Sequence, residues 1–584
     1  MPRPHAALAV ATSVVLACND HGLEPVLDVC DDTATVEAPA AIRSGCRGTT
    51  IPEAIPAPWT VETRWAWPTA EDAIEGLLSA TGPAVAGPLL DSTEDGLVDE
   101  RDATWVVVGF VREDPLLRAI VALDGRTGRP LWINAEEPAQ GTSAIADVDG
   151  DGLPEVIAVS TDDEVIALRG ADGALLWRSV PVPSGTRSIP VVTDLDGDGQ
   201  AEVLAGGSVL SGMDGSWLFS IDALDSWSMM SAADLDRDGV QEILANGSVY
   251  DAEGGELWRS EEAGRSVAPA VLQVDDDDDG EVVWLGDTSF ATYEPDGEQL
   301  RSVQLGERDS DGPLCAGDFD GDGEVEVAWT QRNTLGLFEL DGTERWAVEA
   351  TDSVLTTPCS GFDVDGDGVL EVLYSDTASF RILRGVDGEV LYEDNTHRSN
   401  TGFEYPTVAD VDGDGHAEIL LVGSTEGPGL VRSLAEVSAG WPPAGPGWGA
   451  WDFAVTNANA GARVPRSPEP SWLAFNTWRA RPATDGQPLP DLLAFVDACG
   501  DSSRVLVTIE NGGPGDVGTS FAVSAYDGDT ELSRQVLQGL GAGTRLHGLV
   551  LDVTGSGGEV RIVVDADGVV DECDEANNAV PWER

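Results

Sequence analysis

From about residue 59 to residue 464 the chain alternates short apolar runs with polar turns. One phrase dominates: an apolar run, then Asp-x-Asp-x-Asp-Gly-x-x-Glu, then a second apolar run. Full copies begin at Asp147, Asp194, Asp234, Asp318, Asp363 and Asp410, and a degenerate one begins at Asp275, with Val283 at the usual Glu position. An eighth, divergent copy runs from Asp91 to Asp102, with Asp in place of the terminal Glu. The interval between copies is in the forties, the length of one four-stranded propeller blade.

A second phrase alternates with the first. It is a Gly turn with an aromatic residue five places after the turn's first member, as in Thr127-Gly128 with Trp132, Asp172-Gly173 with Trp177, Asp214-Gly215 with Phe219, Glu253-Gly254 with Trp258, Asp341-Gly342 with Trp346 and Asp387-Gly388 with Tyr392. The turn at Asp296-Gly297 breaks the rule with Arg301. A Gly turn between two β-runs marks a hairpin. An aromatic repeated once per module predicts packing between neighbouring blades.

The alternation predicts an all-β chain: a β-propeller of eight blades, with seven as the alternative, followed by an Ig-like β-sandwich. The last module is irregular, passing through Gly440-Trp441 and Trp448 to Trp451, and the run from Trp59 to Trp65 is expected to close the ring by pairing with it. Prolines punctuate a linker at 465–488. Short alternating strands then resume from 489 to 584.

Asp at positions one, three and five places three carboxylates on the inside of a tight turn, Gly at six permits the bend, and the acid at nine closes the shell. Six to eight oxygens at about 2.3–2.6 Å suit calcium, whereas magnesium sheds its waters reluctantly. Four carboxylates so close repel one another without a cation. Solvated turns explain a single Asp-Gly, but not six copies sharing the Glu. With no Cys in the loops and only His416 nearby, at a non-ligand position, soft metals are disfavoured. Asp565, Asp567 and Asp571 read as a solvated turn, with a further cation site as the alternative.

Composition narrows the function. Against 32 basic residues stand 105 acidic ones, a formal charge of −73. That excludes nucleic acid and anionic membrane surfaces as partners. No lysine occurs, and the five histidines are scattered, which argues against Schiff-base, kinase and His-triad chemistry. With 42% hydrophobic residues and 18 Trp the chain is not of disordered composition.

The first 17 residues read as an export signal, too short in its apolar run to span a bilayer. Val15-Leu16-Ala17-Cys18 resembles the lipobox of bacterial lipoproteins, which implies lipidation of Cys18 and, for the mature chain, a cell-envelope or extracellular location with membrane contact only through that anchor. Six cysteines remain, and their simplest pairing is local: Cys30 with Cys46, Cys315 with Cys359, and Cys499 with Cys573. Residues 18–58 read as an N-terminal linker segment.

Over residues 80 to 425 the loops resemble the FG-GAP/VCBS repeats of integrin-α-like propellers. The resemblance implies calcium ligands at Asp147, Asp149, Asp151 and Glu155; Asp194, Asp196, Asp198 and Glu202; Asp234, Asp236, Asp238 and Glu242; Asp318, Asp320, Asp322 and Glu326; Asp363, Asp365, Asp367 and Glu371; and Asp410, Asp412, Asp414 and Glu418. The divergent copies offer Asp275, Asp277 and Asp279, and Asp91, Thr93, Asp95 and Asp102. In the C-terminal segment, Glu510-Asn511-Gly512-Gly513 and Glu575-Ala576-Asn577-Asn578 resemble the adhesion-related CARDB family. Together these imply adhesion to, or recognition of, a protein or carbohydrate on a cell or matrix surface, with calcium as a structural ion and no catalysis. The alternatives are an extracellular propeller enzyme, either a polysaccharide lyase or a quinoprotein-type dehydrogenase, and a purely structural surface component.

Overall fold

A computed structural model describes residues 35–37 and most of 57–583. The longer stretches outside the description are 183–188, 222–228, 261–268, 305–312, 352–356, 482–491 and 571–577. Cys18, Cys30, Cys46, Asp95, Cys499, Asp571 and Cys573 lie outside the described residues, so the expectations placed on them do too.

Eight antiparallel sheets follow one another along the chain, and each is a blade. Blade 2 shows the plan: Ala139–Ala146, Glu155–Ser160, Glu164–Arg169 and Leu175–Pro181 pair in order. The first strands of blades 1 to 4, and those of blades 6 and 7, touch one another in succession and line the ring axis. Blade 8 takes Thr407–Ala409, Glu418–Val422 and Val431–Glu436 from the end of the repeat region, and its outer strand, Val61–Trp67, from the beginning. This N-terminal strand closes the ring as the repeat pattern predicts, and its pairing removes an open sheet edge.

The repeated aromatic packs between blades. The indole Nε1 of Trp65 donates to Gly125 O (2.6 Å), that of Trp132 to Gly170 O (2.7 Å), that of Trp177 to Gly212 O (2.7 Å) and that of Trp346 to Gly385 O (2.5 Å), each on the following blade. Each ring lies over the next blade's turn glycine: a Cβ on Gly173, whose φ is +68°, would stand 2.6 Å from Trp132. Gly is therefore required there for the close approach as well as for the backbone angle. Where Arg301 replaces the aromatic, Val303 fills the place and meets Gly342.

The linker expected at 465–488 is not a free linker where it is described. The described residues of 441–481 run along the ring axis, and their bonds reach the first strands or loop starts of seven blades. Gly445 O accepts from Asp410 N, Trp448 pairs with Ala86, Gly449 O accepts from Ile145 N, and Asp452 Oδ2 accepts from Ser231 Oγ. Asn476 bonds both the N–H and the C=O of Gln273, Trp478 pairs with Ala316, and Ala480–Arg481 runs parallel to Gly361 and Phe362. Five tryptophans of this segment, Trp441, Trp448, Trp451, Trp472 and Trp478, are buried. Arg479 is fully buried, its guanidinium 3.9 Å over the Trp451 ring and bonded to Leu314 O and Trp451 O. The prolines mark turns, while the tryptophans hold the segment in the channel; burial of large apolar surface overrides local turn chemistry here.

The C-terminal module is a sandwich of two four-stranded sheets with a core of its own, drawn from residues 492–570. One sheet receives Thr35–Glu37 beside Arg545–Asp552, so the N-terminal segment contributes a strand to it. No helix among the described residues is long and apolar enough to cross a membrane.

Trp177→Ala is expected to destabilise the propeller by about 3–5 kcal/mol, as for a large-to-small core change. Trp217, which stands 55% exposed on the outer strand of blade 3, is expected to shift stability by no more than about 0.5 kcal/mol when replaced by Ala. Denaturant unfolding in calcium measures both.

Candidate metal centres

Each Asp-rich loop joins the first strand of its blade to the second. In the full copies the first Asp follows the first strand directly, and the Glu is the first residue of the second strand: Asp147 follows Ala146 and Glu155 opens Glu155–Ser160. The strand pairing Ala146↔Glu155 thus brings position nine back beside position one.

The loop is built by its own backbone. Asp147 accepts from Gly150 N at Oδ1 (2.9 Å) and from Gly152 N at Oδ2 (3.0 Å). Asp149 accepts from Asp151 N (3.0 Å), Asp151 from Leu153 N (2.8 Å), and Glu155 Oε2 from Val148 N (3.2 Å). Gly150 and Gly152 take φ of +75° and +88°, values that L side chains rarely adopt. The arrangement repeats: Glu202, Glu242, Glu326, Glu371 and Glu418 each accept from the N–H seven residues before them, and Asp194, Asp234, Asp318, Asp363 and Asp410 each accept from the Gly at position six.

What remains is a set of oxygens facing one another. One ligand atom from each of positions one, three and nine lies within 4.8 Å of the others in the loops at Asp147, Asp194, Asp234 and Asp318. The Oε1 atoms of Glu326 and Glu418 and the Oδ1 atoms of Asp194 and Asp234 are buried and receive no hydrogen bond. A buried carboxylate oxygen with no donor is costly unless a cation meets it. These donor sets are all oxygen, mostly anionic and partly desolvated, so they fit a hard divalent ion.

Burial, aggravated by the neighbouring aspartates, drives the position-nine carboxyls up. Glu202 and Glu242 rise to about 7, Glu155 and Glu326 to about 8 and Glu418 to about 9. Glu371, the most deeply buried, rises well above the ordinary range, and burial raises Asp363 to about 6. Without a cation the position-nine carboxyls hold protons near neutral pH.

The copy at Asp275 has a different register from the one its Asp run suggests. Gln273 follows the first strand, Ala270–Leu272, and stands at position one; Asp275 and Asp277 stand at three and five; Asp279 stands at seven. Glu281, not Val283, is the ninth residue: it opens Glu281–Leu285, and its Oε2 accepts from Val274 N at 2.7 Å. Val283 lies inside that strand, opposite Ala270. A long run of Asp hides the frame, and the seven-residue spacing from N–H to Glu reveals it. Glu281 too rises to about 7 through burial, and its Oε1 receives no hydrogen bond. This loop is also pinned by the axial segment, through Asn476 on Gln273 and the Trp472 indole on Asp278 O.

The copy at Asp91 occupies the corresponding place in blade 1, between Val85–Pro88 and Thr104–Glu113. Asp102 Oδ1 accepts from Ser92 N (2.6 Å) and Thr93 N (2.9 Å), while Thr93 donates to Asp91. Trp105 pairs with Asp124 as Glu155 pairs with Arg169, so an indole stands where the other blades place their Glu. Cys315 and Cys359 form a disulfide joining blades 6 and 7 at the axis, the one local pairing among the described residues.

Residues 147–205 and 363–421 match the FG-GAP-like repeat family, and 497–581 match the CARDB family. The chain carries FG-GAP-like repeats and a C-terminal CARDB domain. No curated protein matches it. Among solved structures, the V. cholerae biofilm matrix protein Bap1 is similar at 20% identity, over 73% of this chain and 99% of that one, with a TM-score of 0.64. This likeness shows the fold. The rhamnogalacturonan lyase YesW (16% identity, 74% and 82% of the two chains, TM-score 0.47) and the Bacillus licheniformis rhamnogalacturonan lyase PL11 (17%, 70% and 78%, 0.46) are more distant, and nothing is argued from them.

Two outcomes follow from the FG-GAP-like loops. Because the Glu carboxyls titrate near 4.5 when unfolded and near 7–9 in the cation-free fold, their protonated form stabilises the fold fully below about pH 4.5. That stabilisation is lost as pH rises through the folded values. In chelator, the melting temperature is therefore expected to fall between pH 5 and 9, and in excess calcium this fall is expected to disappear. Asp363→Ala, which empties position one of the most buried loop, is expected to cost about 3 kcal/mol or more, and Asp275→Ala about 1 kcal/mol or less. Urea unfolding in calcium measures the difference.

Proposed function

We propose that this protein is an exported, calcium-stabilised propeller that recognises a protein or carbohydrate on a cell or matrix surface and is not an enzyme. The observation that carries the reading is the repetition of one oxygen-only loop around the ring. Every full copy has the same backbone scaffold and the same Glu, buried at four of the six and half-buried at Glu202 and Glu242. Ions distributed this way act as structural ties, one in each blade with a full loop, and a catalytic metal would require one loop to open toward a substrate.

Calcium is the ion that the ligand chemistry favours. Bound in the loops, it would be held by the carboxylates of positions one, three, five and nine and would relieve their repulsion. The Gly-rich backbone presets the loop, and the Glu links the ion to the second strand of the blade.

The axial segment supports binding over catalysis. A propeller's channel is a natural place for a buried small-molecule site, and here the chain's own Trp448, Trp451, Trp478 and Arg479 are buried in it. Recognition is then left to the outer rim and the loop faces. The CARDB domain, with its separate core, serves as a spacer or second adhesive module. An anchor at Cys18 would place the whole on a bacterial envelope, and cleavage without lipidation would release it.

Calorimetry with and without EDTA tests the structural part. The propeller transition is expected to fall in temperature on chelation, and the CARDB transition to stay in place. A propeller transition unmoved by EDTA contradicts the reading. A calcium-replete glycan array and pull-down, run beside an EDTA-treated sample, tests the recognition part. Calcium-dependent capture without turnover is expected; dye reduction, or unsaturated product absorbing in the near ultraviolet, would place the protein among enzymes instead.

A further inference from the structure

The residue just before the inter-blade aromatic is Leu in six blades: Leu131, Leu176, Leu218, Leu257, Leu300 (before Arg301) and Leu391. In blades 6 and 8 it is Arg345 and Arg64. Both arginines reach the metal loop of their own blade. Arg64 NH2 stands 3.5 Å from Asp414 Oδ2, at position five. Arg345 goes further: its NH2 contacts Asp320 Oδ2 at position three and lies 3.4 Å from Asp322 Oδ2 at position five, while its Nε bonds Glu339.

We infer that Arg345 is a resident counter-cation that a divalent ion must displace, making the Asp318 loop a weak, graded calcium site among otherwise tighter ones. The inference rests on the calcium reading above. The guanidinium already neutralises two of the four carboxylates the ion would use, and its charge repels the incoming ion. Glu339 gives the displaced side chain a place to go, since it holds Nε without using the loop. Arg64 touches one carboxylate of its loop and makes no second ion pair among the described residues, so the Asp410 loop is weakened less. The loops at Asp147, Asp194 and Asp234 have Leu at this place and keep full affinity.

A second observation fits a site that empties and fills. The disulfide from Cys315 to Cys359 ties the strand leading into the Asp318 loop to the first strand of blade 7. Trp478 pairs with Ala316 on the same strand. Blade 6 is therefore held at the axis by bonds that do not depend on its ion.

Calcium titration calorimetry on the full chain, stripped with chelator and then freed of it, tests this. Wild type is expected to show one site class clearly weaker than the rest. Arg345→Leu, which installs the residue that six blades already carry, is expected to tighten that class about 10-fold or more, and Arg64→Leu to give a smaller tightening. A melt in excess calcium that matches wild type shows each variant folded. An Arg345→Leu isotherm that superimposes on wild type, or weakens, overturns the inference while leaving calcium binding intact. A wild type that takes up no calcium overturns both.

Discussion

A glutamate buried beside three aspartates is the constraint on which this architecture depends. In each full loop one Glu oxygen is fixed by a backbone N–H. The other faces the aspartates, and in Glu326 and Glu418 it is sealed from solvent without a donor. Such a group must hold a proton or a cation. Because the Glu begins the second strand and the Asp ends the first, whatever neutralises the cluster also clamps the two strands of the blade nearest the axis. The same local electrostatics, repeated around a ring, turns a strongly acidic composition into a fold.

Two further systems lie across the blades. Five indoles on the outer strands, those of Trp65, Trp132, Trp177, Trp258 and Trp346, pack on the turn glycine of the next blade. The axial segment ties the first strands together from within. Loops, indole ladder and axial segment hold different radii of the ring. The disulfide between blades 6 and 7 adds a covalent tie at the inner radius.

Much of this was legible in the sequence because repetition averages out local ambiguity. Six copies of Asp-x-Asp-x-Asp-Gly-x-x-Glu define strand ends, loop geometry and blade length together, and the once-per-module aromatic has one structural use. Ring closure by Val61–Trp67 followed from the same pattern, which left eight or seven blades open; the strand pairing gives eight. What escaped reading was non-repeated. Gln273 and Glu281 were hidden because a continuous Asp run offers several frames, and only strand register selects one. The axial segment was read as a linker because its prolines are local signals, whereas the burial of Trp472, Trp478 and Arg479 depends on strands over a hundred residues away. Five tryptophans between 441 and 478 were the available clue. Arg345 and Arg64 stand out only when the outer strands are aligned and Leu is seen at the same place in the others.

The most direct measurement of the central claim is elemental analysis of the purified protein after extensive dialysis against metal-free buffer. The account predicts calcium retained in a ratio of several ions per chain, approaching one for each of the five full loops other than that at Asp318, with zinc and transition metals at background. A chain that retains no divalent ion and still unfolds at the same temperature as a calcium-saturated sample would contradict it.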